Sequence, residues 1–242
     1  MNMPPILDAH ALLGREDHLA LEADELLRRM DAHGVETACA RPLGAELIVD
    51  HRAGNDRVLK SHPRIRGWAT VNPWWGSRAL EELNRCRDLG AVGLFLHPSR
   101  QGFFPTDPVA FPLVERAAAF GWPVMFHTGT YLYSDILAVA EVARKFPRTP
   151  FIAGFGGFTD QWFELPGIFG EVPNLLLDAS MIWGEAIEEI VRLHGEKRVL
   201  FGSAEPRNRY AVVLKSIARL EIDESARRSL LGENARRLFQ GP

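Results

Sequence analysis

Val92-Gly93-Leu94-Phe95-Leu96-His97-Pro98-Ser99-Arg100-Gln101-Gly102 decides how this chain is read. Five residues without a polar side chain run together, as a strand buried on both faces of a parallel sheet must. A polar segment ending in glycine follows at once. In parallel α/β folds that end of a strand is where ligand-binding groups collect. Working outward, seven more short β-rich runs are found at 6–9, 35–41, 65–71, 123–126, 151–153, 175–178 and 198–202. Amphipathic stretches fill the gaps. In 21–32, Leu26, Leu27 and Met30 form one stripe, with Glu22, Asp24, Arg28 and Arg29 outside it and Gly34 as a stop signal. Asp107-Pro108 reads as an N-cap followed by proline at the first helical position, opening a helix that passes Leu113, Val114 and Ala117 and stops at Gly121. Helices are also predicted over 134–146 and 183–194, with two short ones over 220–239. Eight β-then-α units predict a single-domain α/β fold over 1–242, a (β/α)8 barrel, whose usual size is about 250 residues. A doubly wound open sheet is the alternative, weakened because no Gly-x-Gly-x-x-Gly turn follows the first strand.

Composition removes whole classes of function. The 242 residues are 46% apolar and 24% charged, which excludes a disordered or fibrous protein. Lys plus Arg number 28 against 31 Asp plus Glu, a net charge of −3, so no field gathers nucleic acid or anionic membrane. Two cysteines, Cys39 and Cys86, make no disulfide framework and fit a reduced, cytoplasmic protein in which both are buried and structural. No apolar run approaches the roughly 20 residues of a membrane span. Met1–Pro5 has neither a basic nor an apolar stretch, so no signal peptide is expected.

The barrel rule places chemistry at the C-terminal ends of the strands. His10, His97 and His127 fall there, whereas His18, His33, His51, His62 and His194 fall in helices or loops and read as solvated or capping residues. Arg41, Arg100 and Arg207 follow strands closely enough to reach a carboxylate ligand, which the guanidinium fork suits, although surface ion pairs are the plainer reading. Asp178 either braces the site or faces the substrate. Trp74, Trp75, Tyr131, Trp162 and Trp183 either wall an apolar pocket or pack helices on the barrel. Gly156-Gly157 is a weak phosphate-loop signal, and Gly202-Ser203-Ala204 is not a nucleophile elbow.

Seven segments in order resemble the amidohydrolase superfamily, and within it the amidohydrolase-related group that includes aminocarboxymuconate-semialdehyde decarboxylase-like enzymes. They are 6–14 (Asp-x-His start), 93–102 (Leu-His-Pro with Gln-Gly), 123–129 (Pro-Val-x-x-His-x-Gly), 151–157 (Ala-x-x-Gly-Gly), 173–180 (Pro-Asn-x-x-x-Asp-x-Ser), 198–206 (Arg-Val-Leu-Phe-Gly-Ser) and 230–239 (Leu-Gly-Glu-Asn-Ala-x-Arg-Leu). The resemblance implies a divalent metal, often zinc, held by two histidines after strand one, the strand-five histidine and a strand-eight aspartate, with a strand-six histidine near the water or substrate. Here His10 and His127 match, but Leu12, Gly154 and Ala204 stand at the other three positions.

Two imidazoles alone make a poor zinc site. The expectation is therefore no cofactor, the family metal having been lost. His10 and His127 are expected to carry acid–base chemistry such as hydrolysis or ring opening, as in relatives that work without a metal. The substrate would be a small aromatic or carboxylated molecule, with His97, Arg100, Tyr131, Asp178, Glu205 and Arg207 around it. A non-catalytic binding or scaffold relative is the second reading. A rebuilt metal site using His10, His97, His127 and Glu205, serving a hydrolase or decarboxylase, is the third. Strand alternation points Glu205 away from the two histidines unless a bulge re-aims it. The resemblance also implies a homodimer; no nucleic-acid or membrane partner is expected.

Overall fold

The computed structural model describes residues 5–130, 132–158 and 161–239. The strands are β1 (Ile6–Glu16), β2 (Leu19–Leu21), β3 (Val35–Pro42), β4 (Ile65–Gly67), β5 (Ala69–Thr70), β6 (Leu94–Leu96), β7 (Val124–His127), β8 (Phe151–Gly154), β9 (Leu175–Asp178) and β10 (Val199–Leu200). β2 is a short antiparallel hairpin partner of β1, and all other pairings are parallel. β4 and β5 form one stave, stepped at Trp68, whose amide donates to Ala40 O at 2.9 Å. The ring closes between first and last staves: Ala9 N donates to Phe201 O at 2.8 Å, Ala204 N to His10 O at 2.7 Å and Leu12 N to Glu205 O at 2.8 Å. This is the expected eight-staved barrel.

Alternation along each stave sorts its side chains. Phe95, Met125 and Ile152 belong to the barrel interior together with Leu7, Ala9, Trp68 and Leu200. Leu94, Leu96, Val124, Phe126, Phe151, Ala153, Leu175 and Leu177 belong to the layer beneath the helices. Period two then carries His97, His127 and Asp178 to the interior face at the barrel mouth. Trp68 fills the floor, fully buried, with Nε1 donating to Ala9 O at 3.0 Å. Gly93 makes room for it, since a Cβ there would lie 2.5 Å from the indole.

Several local expectations change. β1 continues past residue 9 because a register shift between Asp8 and Ala11 inserts one residue against β3. The helix expected from Asp107 begins at Phe111, after a turn in which Asp107 accepts the amide of Phe104 at 2.7 Å. The two short helices expected over 220–239 form one continuous helical run, Glu224–Arg228, a π turn Ser229–Glu233 and Asn234–Phe239. In the π turn the Leu230 carbonyl receives the Phe201 amide at 3.0 Å, and Asn234 Nδ2 donates to Glu196 O and Val199 O, both at 2.7 Å. Cys39 and Cys86 are buried and unpaired with each other. Among the described residues no helix is long and apolar enough to cross a membrane.

His51, expected to be solvated or capping, is buried. Nε2 donates to Ile48 O at 2.9 Å and Nδ1 accepts the Asn72 amide at 3.4 Å. Burial holds its imidazole below the ordinary 6.5, against the raising effect of the bond to Ile48. The unfolded chain then takes up a proton more readily than the folded one. The stability this histidine contributes is present above 6.5 and declines as pH falls below it. Urea unfolding at about pH 7.5 and 5.5 is expected to show a smaller acid loss for His51→Gln than for the parent. Equal losses would remove His51 from the account.

Candidate active site

A cavity of about 340 Å³ opens at the mouth of the barrel, within the range of small-molecule sites. Arg41, His97, Ser99, Arg100, His127, Thr130 and Arg207 form its polar wall, with Glu16 as its one carboxylate among the described residues; Phe155, Phe158 and Met181 form the apolar wall.

The register shift in β1 decides what lies behind this wall. Leu7 and Ala9 face inward, and plain alternation would turn His10 outward with Asp8. The extra residue instead brings His10 and Leu12 to the inside. His10 is fully buried and has both ring nitrogens engaged. Nδ1 donates to Asp178 Oδ2 at 2.6 Å, and Nε2 accepts Arg41 Nε–H at 3.1 Å. The ring stacks on Phe155 at 4.8 Å. His10, one of the two histidines expected to carry the chemistry, is therefore behind the cavity and does not line it.

Asp178 braces the site. Oδ2 also accepts Phe155 N at 2.9 Å and Ser180 Oγ–H at 2.8 Å, while Oδ1 accepts Ser180 N at 3.0 Å. Asp8 holds the neighbouring corner, accepting from His10 N, Ser203 N, Ser203 Oγ and Tyr210 OH. Burial pushes its carboxyl above the usual range, although these bonds pull the other way.

His127 and His97 stand on the cavity wall and stack face to face, ring centres 3.8 Å apart. His127 Nε2 is bonded to Thr130 Oγ1 at 3.1 Å, and His97 Nδ1 to Ser99 Oγ at 3.2 Å. Burial holds both imidazoles well below 6.5. For His97 the neighbouring His127 adds to the effect, for His127 the Arg41 guanidinium does, and Arg100 and Arg207 act on both. Both rings are neutral at neutral pH. Among the described residues, His127 Nδ1 is the buried side-chain nitrogen or oxygen without a partner.

Three guanidinium groups meet here. Arg41 is buried, its Cζ 4.6 Å above the Phe95 ring. Burial, with Arg207 and Arg100 nearby, pushes it down to about 9, still protonated at neutral pH. Arg100 pairs with Glu16 Oε1, and Arg207 lies 3.5 Å from Glu16 Oε2. Arg100 and Arg207 thus make the partly exposed ion pairs of the plainer reading, but on the cavity wall. Glu16 had no signal in the sequence, because it reaches the wall only on the unexpected extension of β1.

The remaining expected residues lie elsewhere. Glu205, expected at the substrate, turns away from the cavity. Oε2 binds Arg29 at 2.5 Å and Oε1 accepts the Tyr210 amide at 3.1 Å, as strand alternation foretold. Tyr131 lies outside the described residues. Trp74 and Trp183 are 60% and 53% exposed and do not wall the cavity, a part taken by Phe155 and Phe158, which sequence reading missed. Gly157 N is taken by Thr128 Oγ1 at 2.9 Å and is not free for a phosphate.

Comparison with solved structures places these features in a known fold. The chain is similar to 5-carboxyvanillate decarboxylase from Sphingomonas paucimobilis, with TM-score 0.77, 16% identity, 98% of this chain and 99% of that one covered. It is similar to a 2,6-dihydroxybenzoate decarboxylase solved with 2,6-dihydroxybenzoate, with TM-score 0.76, 20% identity and 99% of each chain covered. It is also similar to a dihydroxybenzoic acid decarboxylase from Polaromonas sp. JS666 holding manganese and 2-nitroresorcinol, with TM-score 0.73, 20% identity, 99% of this chain and 97% of that one covered. No curated protein sequence matches significantly.

The manganese corrects one expectation. That no cofactor is involved, the family metal having been lost, is overturned by neighbours of this fold that hold manganese. The donor set of this chain does not match such an ion. Among the described residues no three His, Cys, Asp or Glu side chains converge as a metal site. Both His10 nitrogens are engaged, and Glu205 is held by Arg29. Leu12 and Ala204, two of the three positions where the resemblance places further polar groups, lie in an apolar cluster with Phe155 and Leu43. A catalytic metal ordinarily has three protein ligands and an open position, and these residues do not fit one. The amidohydrolase family model matches residues 49–241, well over half the length. With its barrel, its strand-end histidines and that match, the chain belongs to the amidohydrolase family.

Proposed function

We propose that the cavity binds a small planar carboxylated molecule and that the chain performs acid–base chemistry on it, hydrolysis or ring opening of an aromatic or lactone-like acid. One observation carries this reading: among the described residues, three guanidinium groups and a single carboxylate line a cavity with an aromatic wall. Such a site favours an anion, and desolvated arginine forks hold carboxylates by two parallel bonds. Phe155 and Phe158 supply the apolar face for a ring. His127 and His97, neutral at working pH, serve as hydrogen-bond donors or acceptors, as lowered imidazoles do in other barrels.

Calorimetry with benzoate, isophthalate and the neutral benzamide tests this. Both acids are expected to bind and the amide not. Arg100→Ala and Arg207→Ala are each expected to weaken benzoate about tenfold, the usual loss for one charged hydrogen-bond partner. Equal affinity for benzamide, or indifference to both substitutions, would sink the reading.

The apolar cluster of Leu12, Leu43, Phe155 and Ala204 favours a second reading, a relative that binds such acids without converting them. Mass spectrometry of aromatic acids and carboxylated lactones incubated with the protein separates the two, since only the enzyme yields product.

A further inference from the structure

We propose that His10 is a positioning residue: fixed by Asp178 as the Nδ1–H tautomer, it accepts the Arg41 Nε–H and holds that guanidinium in the cavity wall. The contact stands on its own geometry, and its consequence for binding rests on the carboxylate reading above.

The tautomer follows from what the partners are able to do. Arginine Nε only donates, so His10 Nε2, 3.1 Å away, is the acceptor and carries no proton. A neutral imidazole then has its proton on Nδ1, which lies 2.6 Å from Asp178 Oδ2. Asp178 is already the acceptor for Phe155 N, Ser180 N and Ser180 Oγ, which suits an ionised carboxylate. Asp178, His10 and Arg41 thus form a directed chain, buried throughout.

Its effect falls on Arg41. Nε is held by His10, Nη1 by Pro42 O at 3.1 Å, and the guanidinium plane lies over Phe95. Nη2 has no protein partner among the described residues, and Arg41 lines the cavity. A free arginine side chain gives up rotamer entropy when a ligand orders it. Here that ordering precedes the ligand, which is how preorganisation raises affinity. The histidine that the resemblance assigns to a metal has both nitrogens committed to an acid and a base of the protein itself.

Two measurements decide it. In nitrogen-15-labelled wild-type protein, a slowly exchanging Arg41 Nε–H resonance is expected, with a scalar coupling through the hydrogen bond to an unprotonated His10 Nε2. A protonated His10 Nε2, or no coupling, overturns the proposal without any variant having to fold. Loss of the coupling when the diamagnetic ion Zn²⁺ is added, through capture of Nε2 by the ion, also overturns it. The second is a double-mutant cycle on benzoate affinity. His10→Ala is expected to weaken benzoate about tenfold when Arg41 is present and not at all in an Arg41→Ala background, and His10→Gln, which returns an acceptor, to recover most of the loss. An equal loss in the Arg41→Ala background shows a merely structural role and overturns the proposal. If wild-type protein binds no benzoate, the carboxylate reading fails, and the nitrogen–nitrogen coupling alone decides for or against His10.

Discussion

Gly202→Ala will destabilise the protein by about 3–5 kcal/mol, the loss typical of breaking a buried charged network from one side. A Cβ at residue 202 would lie 2.1 Å from Asp178 Oδ1 and 3.1 Å from His10 Cβ. No rotamer escape is cheap, because the carboxylate is held by Phe155 N, Ser180 N, Ser180 Oγ and His10 Nδ1. Moving it strands several buried donors at once, and each unsatisfied group costs about 1–3 kcal/mol. Urea unfolding measures the effect. Gly167→Ala is the control: it lies in the helix Leu165–Glu171 with no heavy atom within 4 Å of the new methyl. That change is expected to stabilise by about 0.5–1 kcal/mol, as alanine does over glycine inside a helix. A Gly202→Ala variant as stable as the Gly167→Ala protein would show that the Asp178 corner yields, contrary to the packing described.

Arg41→Ala will abolish most carboxylate binding, weakening benzoate about 100-fold, or roughly 2.7 kcal/mol. It removes the one guanidinium that is both buried and pinned, and it leaves His10 Nε2 without its donor. Arg41→Lys will not restore the affinity. An ammonium is a point charge that cannot bond Nε2, Pro42 O and a ligand in one plane. Arg100 and Arg207, already paired with Glu16 and about a third exposed, are expected to matter less. Calorimetry ranks the three substitutions. If Arg41→Ala costs no more than Arg100→Ala, the cavity is anchored elsewhere.

Much of the fold is legible in the chain. Barrel staves sit between an inner core and a helical layer, so they show apolar runs that need no tertiary information to find. Val92 to Leu96 and Val124 to Phe126 are such runs. Boundaries are less legible. β1 runs on to Glu16 because a bulge and a hairpin extend its pairing, and no local propensity announces either. Helix 224–239 contains a π turn whose Leu230 carbonyl takes the Phe201 amide, a partner distant in sequence that no local propensity announces.

The site divides in the same way. The residues themselves determined that histidines and arginines stand at the C-terminal ends of parallel strands, and that Leu12, Gly154 and Ala204 replace the polar groups the resemblance leads one to expect. The tertiary structure alone decided which of these groups meet the cavity. His97 and His127 arrive there by simple alternation, which sequence states. His10 faces inward only because one inserted residue flips the alternation of β1, and its function then depends on Asp178 and Arg41, brought to it by two other staves. Glu16 joins Arg100 and Arg207 for the same reason: side-chain direction has period two, so a shift of one residue in register reverses what every later position faces.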